Sequence, residues 1–357
     1  MILSIIIFVF TLLILVVIHE LGHFLVAKKF GIKVEEFGFG IPPKVFGKKI
    51  GETIFSLNLI PLGGFVRLLG EDEVDQKVLE HTRSFAHKSP WVRILVVVAG
   101  VAMNLILAWI LFYIVIIAQD FKVISPSADP AVFIGRVQEG YPAQQAGIQV
   151  GDKLVSVDGQ VVSDFEAARN LIKGKETVSL VLENNRQQRT VTVTPKKVDE
   201  DSLIGVVFTP FLLKEYNTPA EKLFSGITYS YDLTKLTFIG LGRTLTDLFT
   251  GNFEKASQAV SGPVGIAGVT NEILSEGWRA TLPYLWFVGV ISLTLSIFNV
   301  LPIPALDGGR LLFIVIEAVF KKKVRAEVER VIHQVGFALL LLLAFLITYS
   351  DINKMIK

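Results

Sequence analysis

Residues 1–27 read MILSIIIFVFTLLILVVIHELGHFLVA. An aliphatic and Phe run continues almost unbroken through Ile18, and a spanning helix needs about 20 mostly apolar residues. The run then passes into His19-Glu20-Leu21-Gly22-His23. On a helix, positions i and i+4 share a face about one turn apart. His19 and His23 can therefore hold one zinc ion, and Glu20 follows the first of them, in reach of an attacking water. Zinc lowers the pKa of water and polarises a carbonyl, while Glu20 takes the proton. Polar groups are expensive at the end of an aliphatic helix, which makes this trio a functional hypothesis by default. The bland alternative is a polar helix end meeting headgroups, with the histidines as interfacial anchors. The segment is expected to be retained, because no Lys or Arg precedes Lys28, whereas a signal peptide opens on a basic region.

Three more stretches carry the same apolar character: 94–118, which holds no charge, 282–301, and 335–349, with a start near Val331. Charged residues are only 19% of the 357, against about 25% in soluble domains, and hydrophobic residues are 51%. Basic residues gather between the first two spans (Lys28, Lys29, Lys33, Lys44, Lys48, Lys49, Arg67, Lys77, Arg83, Lys88, Arg93) and again between the last two (Arg310, Lys321, Lys322, Lys323, Arg325, Arg330). By the positive-inside bias both loops face the cytoplasm, and both termini and the region 119–280 face outward. Residues 219–250 are apolar enough to raise a fifth span. Asp232, Lys235, Arg243 and Asp247 interrupt them, which favours an amphipathic helix in the outer leaflet. With 35 basic and 33 acidic residues there is no electrostatic case for a nucleic-acid partner. The absence of cysteine removes disulfides, thiolate nucleophiles and cysteine-ligated metals.

Between the spans the pattern changes. Short alternating or β-branched runs at 132–137, 153–159, 177–183 and 189–195, punctuated by Gly140, Pro142, Gly151, Gly159 and Gly174, predict a compact domain of short strands. Residues 164–171 predict a brief helix capped by Asp164. Residues 32–70 predict extended structure, and the apolar stretch 57–69 is too broken by Pro61, Gly63 and Gly64 to span. It can enter the membrane partway if its backbone is buried against protein or faces a wet cavity. Beside an active site it would pair with an extended substrate; otherwise it is a capping sheet. The expected fold is a polytopic α-helical membrane protein with four transmembrane helices, a membrane-associated β-rich loop and an inserted extracytoplasmic domain. The expected divisions are 1–119, 120–205, an amphipathic connector over 206–280, and 281–357.

A catalytic zinc site takes three protein ligands and water. His81 and His87 lie in a polar loop, and His333 has no second ligand at useful spacing. Asp307 is the better candidate, within Asn299-Val300-Leu301-Pro302-Ile303-Pro304-Ala305-Leu306-Asp307-Gly308-Gly309 at the cytoplasmic end of the third span. The prolines break the helix and the glycines permit tight turns, so the carboxylate can turn inward; alternatively it caps the following helix. Asn299 and Asn104 are amides in apolar surroundings and need partners. Asn299 is a candidate for substrate backbone or a developing oxyanion and Asn104 for orienting the site, with helix–helix glue the alternative for both.

On these motifs the chain resembles the site-2 protease family of intramembrane zinc metalloproteases, in the bacterial regulator-of-sigma-E protease branch. HELGH at 19–23 and NVLPIPALDGG at 299–309 match its two metal-site motifs. Gly140-Tyr141-Pro142-Ala143, Ala146-Gly147-Ile148, Gly151-Asp152 and Val157-Asp158-Gly159 look like a PDZ domain. Gly63, Gly64 and Phe65 of the membrane-associated loop and Ser261-Gly262-Pro263-Val264-Gly265-Ile266 also match. The resemblance implies Zn2+ held by His19, His23 and Asp307, Glu20 as the catalytic glutamate, and Asn299 near substrate. It implies a place in the bacterial inner membrane, and single-span substrates already cut outside, such as an anti-sigma factor or a remnant signal peptide. The PDZ domain would bind a new substrate C-terminus through a groove near Phe133, Ile134, Gly135 and Arg136, or act as a size filter. The chain has room for one PDZ domain where well-known Gram-negative members carry two, and Gly100-Val101-Ala102-Met103-Asn104 stands where many relatives have a Gly-Pro start. The rival from another class is a membrane-anchored PDZ adaptor without catalysis.

Overall fold

A computed structural model of the chain describes residues 2–71, 75–126, 131–184, 187–198, 201–209, 211–322 and 324–356. They form two compact units, 1–115 with 242–357, and 116–241. Among the described residues four helices are long and apolar enough to cross a membrane: Leu3–Lys29, Pro90–Ala118, Gly277–Val300 and Glu327–Asn353. These are the four expected spans. The last starts a turn before the expected Val331, because Glu327, Glu329 and Arg330 in its opening turns hide the helix from a hydropathy reading.

In the first unit, α1 (Ile2–Lys29) ends on Lys28 and Lys29, which suit the negative pole of a helix. Gly31, at φ 68°, then turns the chain so that Ile32 N–H donates to Ala27 O at 2.9 Å. A hairpin follows, β1 (Val34–Ile50) and β2 (Thr53–Leu68). Both strands are interrupted midway, β1 at Pro42 and Pro43 and β2 at Pro61 and Gly63. The first half of β1 consequently finds partners in both halves of β2: Phe37 stands opposite Phe55 and also opposite Val66. The short helix α2 (Gln76–Leu79) leads to α3 (Pro90–Ala118), which opens on a proline whose missing N–H costs nothing there. Ala27, Ile32, Val34, Leu68, Phe85, Val96, Val97 and Ile314 bury one another and fix the base of the hairpin to the helices.

The second unit is β-rich. Its strands are β3 (Lys122–Pro126), β4 (Val132–Val137), β5 (Lys153–Val157), β6 (Gln160–Val161), β7 (Val178–Asn184), β8 (Gln187–Val193), β9 (Lys196–Val198), β10 (Asp201–Leu203), β11 (Val206–Thr209) and β12 (Phe211–Glu215). Its helices are α4 (Pro142–Gln145), α5 (Phe165–Ile172), α6 (Pro219–Leu223) and α7 (Ser225–Phe249), the last running into the first unit. One sheet has the order β11-β4-β5-β7-β8, with β6 on β5. Alternation along β7 buries Val178, Leu180 and Leu182 against Ile134, Leu154, Ala168 and Ile172. Asp164 caps α5 as its sequence indicates, accepting from Ala167 N–H at 2.8 Å. The sheet takes in Val206–Thr209, beyond the expected boundary at 205. α7 keeps Asp232 in an ion pair with Lys214 and is not among the four spanning helices.

The first unit resumes with α8 (Phe253–Gln258), α9 (Pro263–Ser275), α10 (Thr281–Val300), α11 (Asp307–Phe320) and α12 (Ala326–Ile356). Buried Asp351 of α12 accepts from the N–H groups of Gly262 and Gly265, each at 2.8 Å, and so caps α9. Ser292 and Ser296 of α10 donate to the carbonyls of Asn104 and Val101 on α3, at 2.8 and 3.1 Å. A buried ion pair, Arg93–Glu317 at 2.6 Å, joins α3 to α11.

Candidate metal centre

His19 and His23 face the same way because they are one turn apart on α1, and Asp307 is the first residue of α11. The break at Pro302 and Pro304 ends α10 and lets α11 start at the level of the histidines. Asp307 Oδ2 lies 2.9 Å from His19 Nε2 and 3.3 Å from His23 Nε2, and the two imidazole nitrogens are 3.1 Å apart. Ligands about 2.0–2.1 Å from a tetrahedral zinc stand about 3.3–3.4 Å from one another, so the triangle is nearly one face of such a site. His23 Nδ1–H donates to Val96 O at 2.8 Å, which fixes the tautomer and turns the lone pair of Nε2 into the triangle. Asp307 Oδ2 is buried, and among the described residues its near polar neighbours are the two histidine nitrogens. Two imidazoles with one carboxylate converging on one point are a zinc donor set. Among the described residues this is the single group that could hold a metal ion. His81 accepts from Arg83 N–H at 3.1 Å at the surface and, like His87, stands outside it.

Close packing of backbone makes the triangle. A Cβ on Gly22 would lie 2.3 Å from Ala99 O, so α1 and α3 touch main chain to side. A Cβ on Gly100 would lie 2.4 Å from His23 Nε2 and 2.9 Å from His19 Cε1. Gly308 is equally constrained, its Cβ position being 2.0 Å from Leu301 O. Gly100, Val96 and the α10 serines were missed in the sequence, since glycine and serine are ordinary residues in apolar helices. Position 100 is mid-helix in α3, so the lack of a Gly-Pro start costs no helix there.

Glu20 is the neighbour of His19 on α1. A Cβ on Gly64 would lie 3.7 Å from Glu20 Cγ and 2.9 Å from Gly38 O, so the second run of β2 passes along the Glu20 face of α1. Gly63, at φ 92°, turns the chain into that run, and the Phe65 ring covers Gly38. Asn104 is buried on α3, its Oδ1 without a hydrogen-bond partner among the described residues. Asn299 is half-buried on the last turn of α10.

The expected peptide groove at Phe133, Ile134, Gly135 and Arg136 needs correction. β4 is an interior strand. Ile134 N–H donates to Asp152 O and Ile134 O accepts from Gly151 N–H, both at 2.8 Å, while Arg136 stands opposite Val207 of β11. No ladder position is left there for a peptide. A cavity of about 310 Å³ lies elsewhere on the unit, between α5 and the edge strand β11, lined by Phe165, Arg169, Ile172, Leu203, Gly205 and Phe208.

Comparison with known proteins gives the family. A protein of Clostridium perfringens is 35% identical over 341 residues, covering 95% of each chain. The zinc metalloprotease RasP of Geobacillus kaustophilus is 32% identical over an alignment of 435 residues that covers 98% of each. The crystal structure of the PDZ domain of an SdrC-like protein from Listeria monocytogenes matches 23% of this chain and 92% of its own, at 17% identity and a TM-score of 0.22. The profile of peptidase family M50 matches residues 7–343. With its metal triangle at the ends of membrane-length helices, the chain belongs to peptidase family M50, the membrane-embedded zinc metalloproteases of the site-2 protease type.

Proposed function

We propose that the enzyme cuts single-span membrane proteins at the inner ends of α1 and α10, with Glu20 as the base. The substrates are anti-sigma factors or remnant signal peptides already shortened outside by another protease. The observation that carries this is the adjacency of three groups: the His19–His23–Asp307 triangle, Glu20 on the same helix, and the Gly64 run of β2 beside Glu20.

A helical substrate has its carbonyls engaged and shielded, so the cut segment must be extended. The run from Gly64 offers a backbone along which it can lie, at the level of Glu20. Zinc in the triangle supplies a lowered water pKa and a polarised scissile carbonyl. Glu20 takes the proton of the attacking water and returns it to the leaving nitrogen. Asn299 holds the extended backbone, and Asn104 keeps the α3 side of the site in register. The groove of α5 and β11 receives the new substrate C-terminus. The clusters of Lys and Arg support an inner-membrane topology with the metal toward the cytoplasm and both termini outside. The reading keeps the chain divisions at 119 and 280 and moves the one at 205, since Val206–Thr209 belong to the sheet.

The test is reconstitution in vesicles with zinc and a panel of single-span substrates. Glu20→Gln is expected to slow cleavage by about 10²–10⁴-fold and to keep its zinc. Asp307→Asn is expected to lose both. Undiminished cleavage by the Glu20→Gln protein would end this account.

A further inference from the structure

The segment between α10 and α11 must stop one helix, start another and aim Asp307 at two histidines, all within residues 301–306. Pro302 and Pro304 offer no N–H groups to hold it. Ala305 follows at φ 74°, in the left-handed region that a residue with a Cβ seldom enters. Such a conformation persists only where the surroundings over-determine it.

The surroundings here come from α12. Ala305 N–H donates to His333 Nδ1 at 2.9 Å. Three residues on, Gly336 lies against the same loop: a Cβ there would be 2.4 Å from Pro304 Cβ and 2.9 Å from its carbonyl carbon. The His333 ring also meets Phe313 of α11, with centroids 5.8 Å apart. The fourth span thus touches the loop at two consecutive residues and the helix that Asp307 begins. His333 is not in the metal group.

We propose that α12 is the positioning element of the metal centre, with His333 the positioning residue that sets Asp307 through Ala305. An accepting Nδ1 requires the neutral ring with its proton on Nε2. Removing that acceptor leaves the Ala305 N–H unpaired and the left-handed residue unsupported, so the first turn of α11 relaxes and the carboxylate leaves the triangle. The proposal rests on the zinc reading of that triangle and adds to it a span that supplies no ligand.

The experiment uses the full chain, purified, stripped of metal and titrated with Zn2+ against a chelator, and then with Co2+, whose visible absorption reports tetrahedral geometry. His333→Ala is expected to weaken zinc binding by about 10–100-fold, the usual cost of losing an outer partner of a ligand, and to perturb the cobalt spectrum. The metal-free variant should still fold and melt cooperatively, somewhat below wild type because of the unpaired N–H. His333→Asn retains an acceptor and is expected to recover most of the affinity. Glycine accepts a positive φ without strain, so in an Ala305→Gly background the His333→Ala penalty should shrink. Wild-type zinc affinity and an unchanged cobalt spectrum in His333→Ala overturn the proposal alone. Should His333→Ala not fold, a His333→Asn protein binding zinc 10–100-fold more weakly than wild type overturns it instead. A wild-type chain that takes no zinc sinks the metal reading and this proposal together.

Discussion

Gly100 has no side chain because the histidines occupy the space one would need. An alanine methyl there would press on His23 Nε2 and His19 Cε1, at 2.4 and 2.9 Å, and the rings would have to swing away. Rings move more easily than backbone, so Gly100→Ala should fold and insert while losing zinc affinity by about 10–100-fold, read by metal analysis of the purified protein beside wild type. Gly22→Ala meets the Ala99 carbonyl at 2.3 Å and would have to push α1 away from α3, so it should cost folding as well. The contrast marks what was legible at this scale. His19, Glu20, His23 and Asp307 declare themselves because few residue types can do their chemistry and an apolar context makes them conspicuous. Gly100 and His333 act by fitting against a distant segment, and that segment is known only once the chain is folded.

The hairpin of β1 and β2 needs its tip held as well as its base. Glu52, in the turn between the strands, accepts from Arg83 and from Lys28, each at 2.7 Å. Those hydrogen bonds, Arg83's first, pull its carboxyl down to about 2 from an ordinary 4.5. A carboxylate depressed by folding adds stability above its unfolded pKa and loses it as the pH falls through the folded value. The melting-temperature difference between wild type and Glu52→Gln should therefore be full at pH 6, shrink from about pH 4.5 and vanish toward pH 2. A difference that does not change with pH over that range would mean that the tip is held by packing alone. Elements with a local signature were readable in advance: β7 alternates, β4, β5 and β8 are short runs rich in β-branched residues, and α5 carries its own cap. β11 was not, because Val206–Thr209 is short and takes its meaning from β4, far earlier in the chain. The same pairing makes VFIGRV an interior strand, which its own sequence does not announce.

Over the whole chain, the number of spans and the side of each loop are one question. Four spans put Asp307 at the same end of the helices as His19 and His23, and the triangle requires that agreement. A crossing by α7 as a fifth span would move Arg310 and the basic cluster after Phe320 to the other face. Exposed Trp91 and Trp278, at the opening ends of α3 and of the third span, suit opposite membrane interfaces. The chain has no cysteine, so single thiols can be introduced without a background. Lys49→Cys in the hairpin, Lys175→Cys in the β-rich unit and Lys321→Cys after α11 all replace exposed residues. A maleimide that cannot cross the bilayer, applied to intact spheroplasts, should label position 175 at once. Positions 49 and 321 should react only after the membrane is opened. Reaction at 321 from outside, with 49 still protected, is the signature of an α7 crossing, and it would leave the carboxylate of Asp307 on the wrong face to meet the histidines.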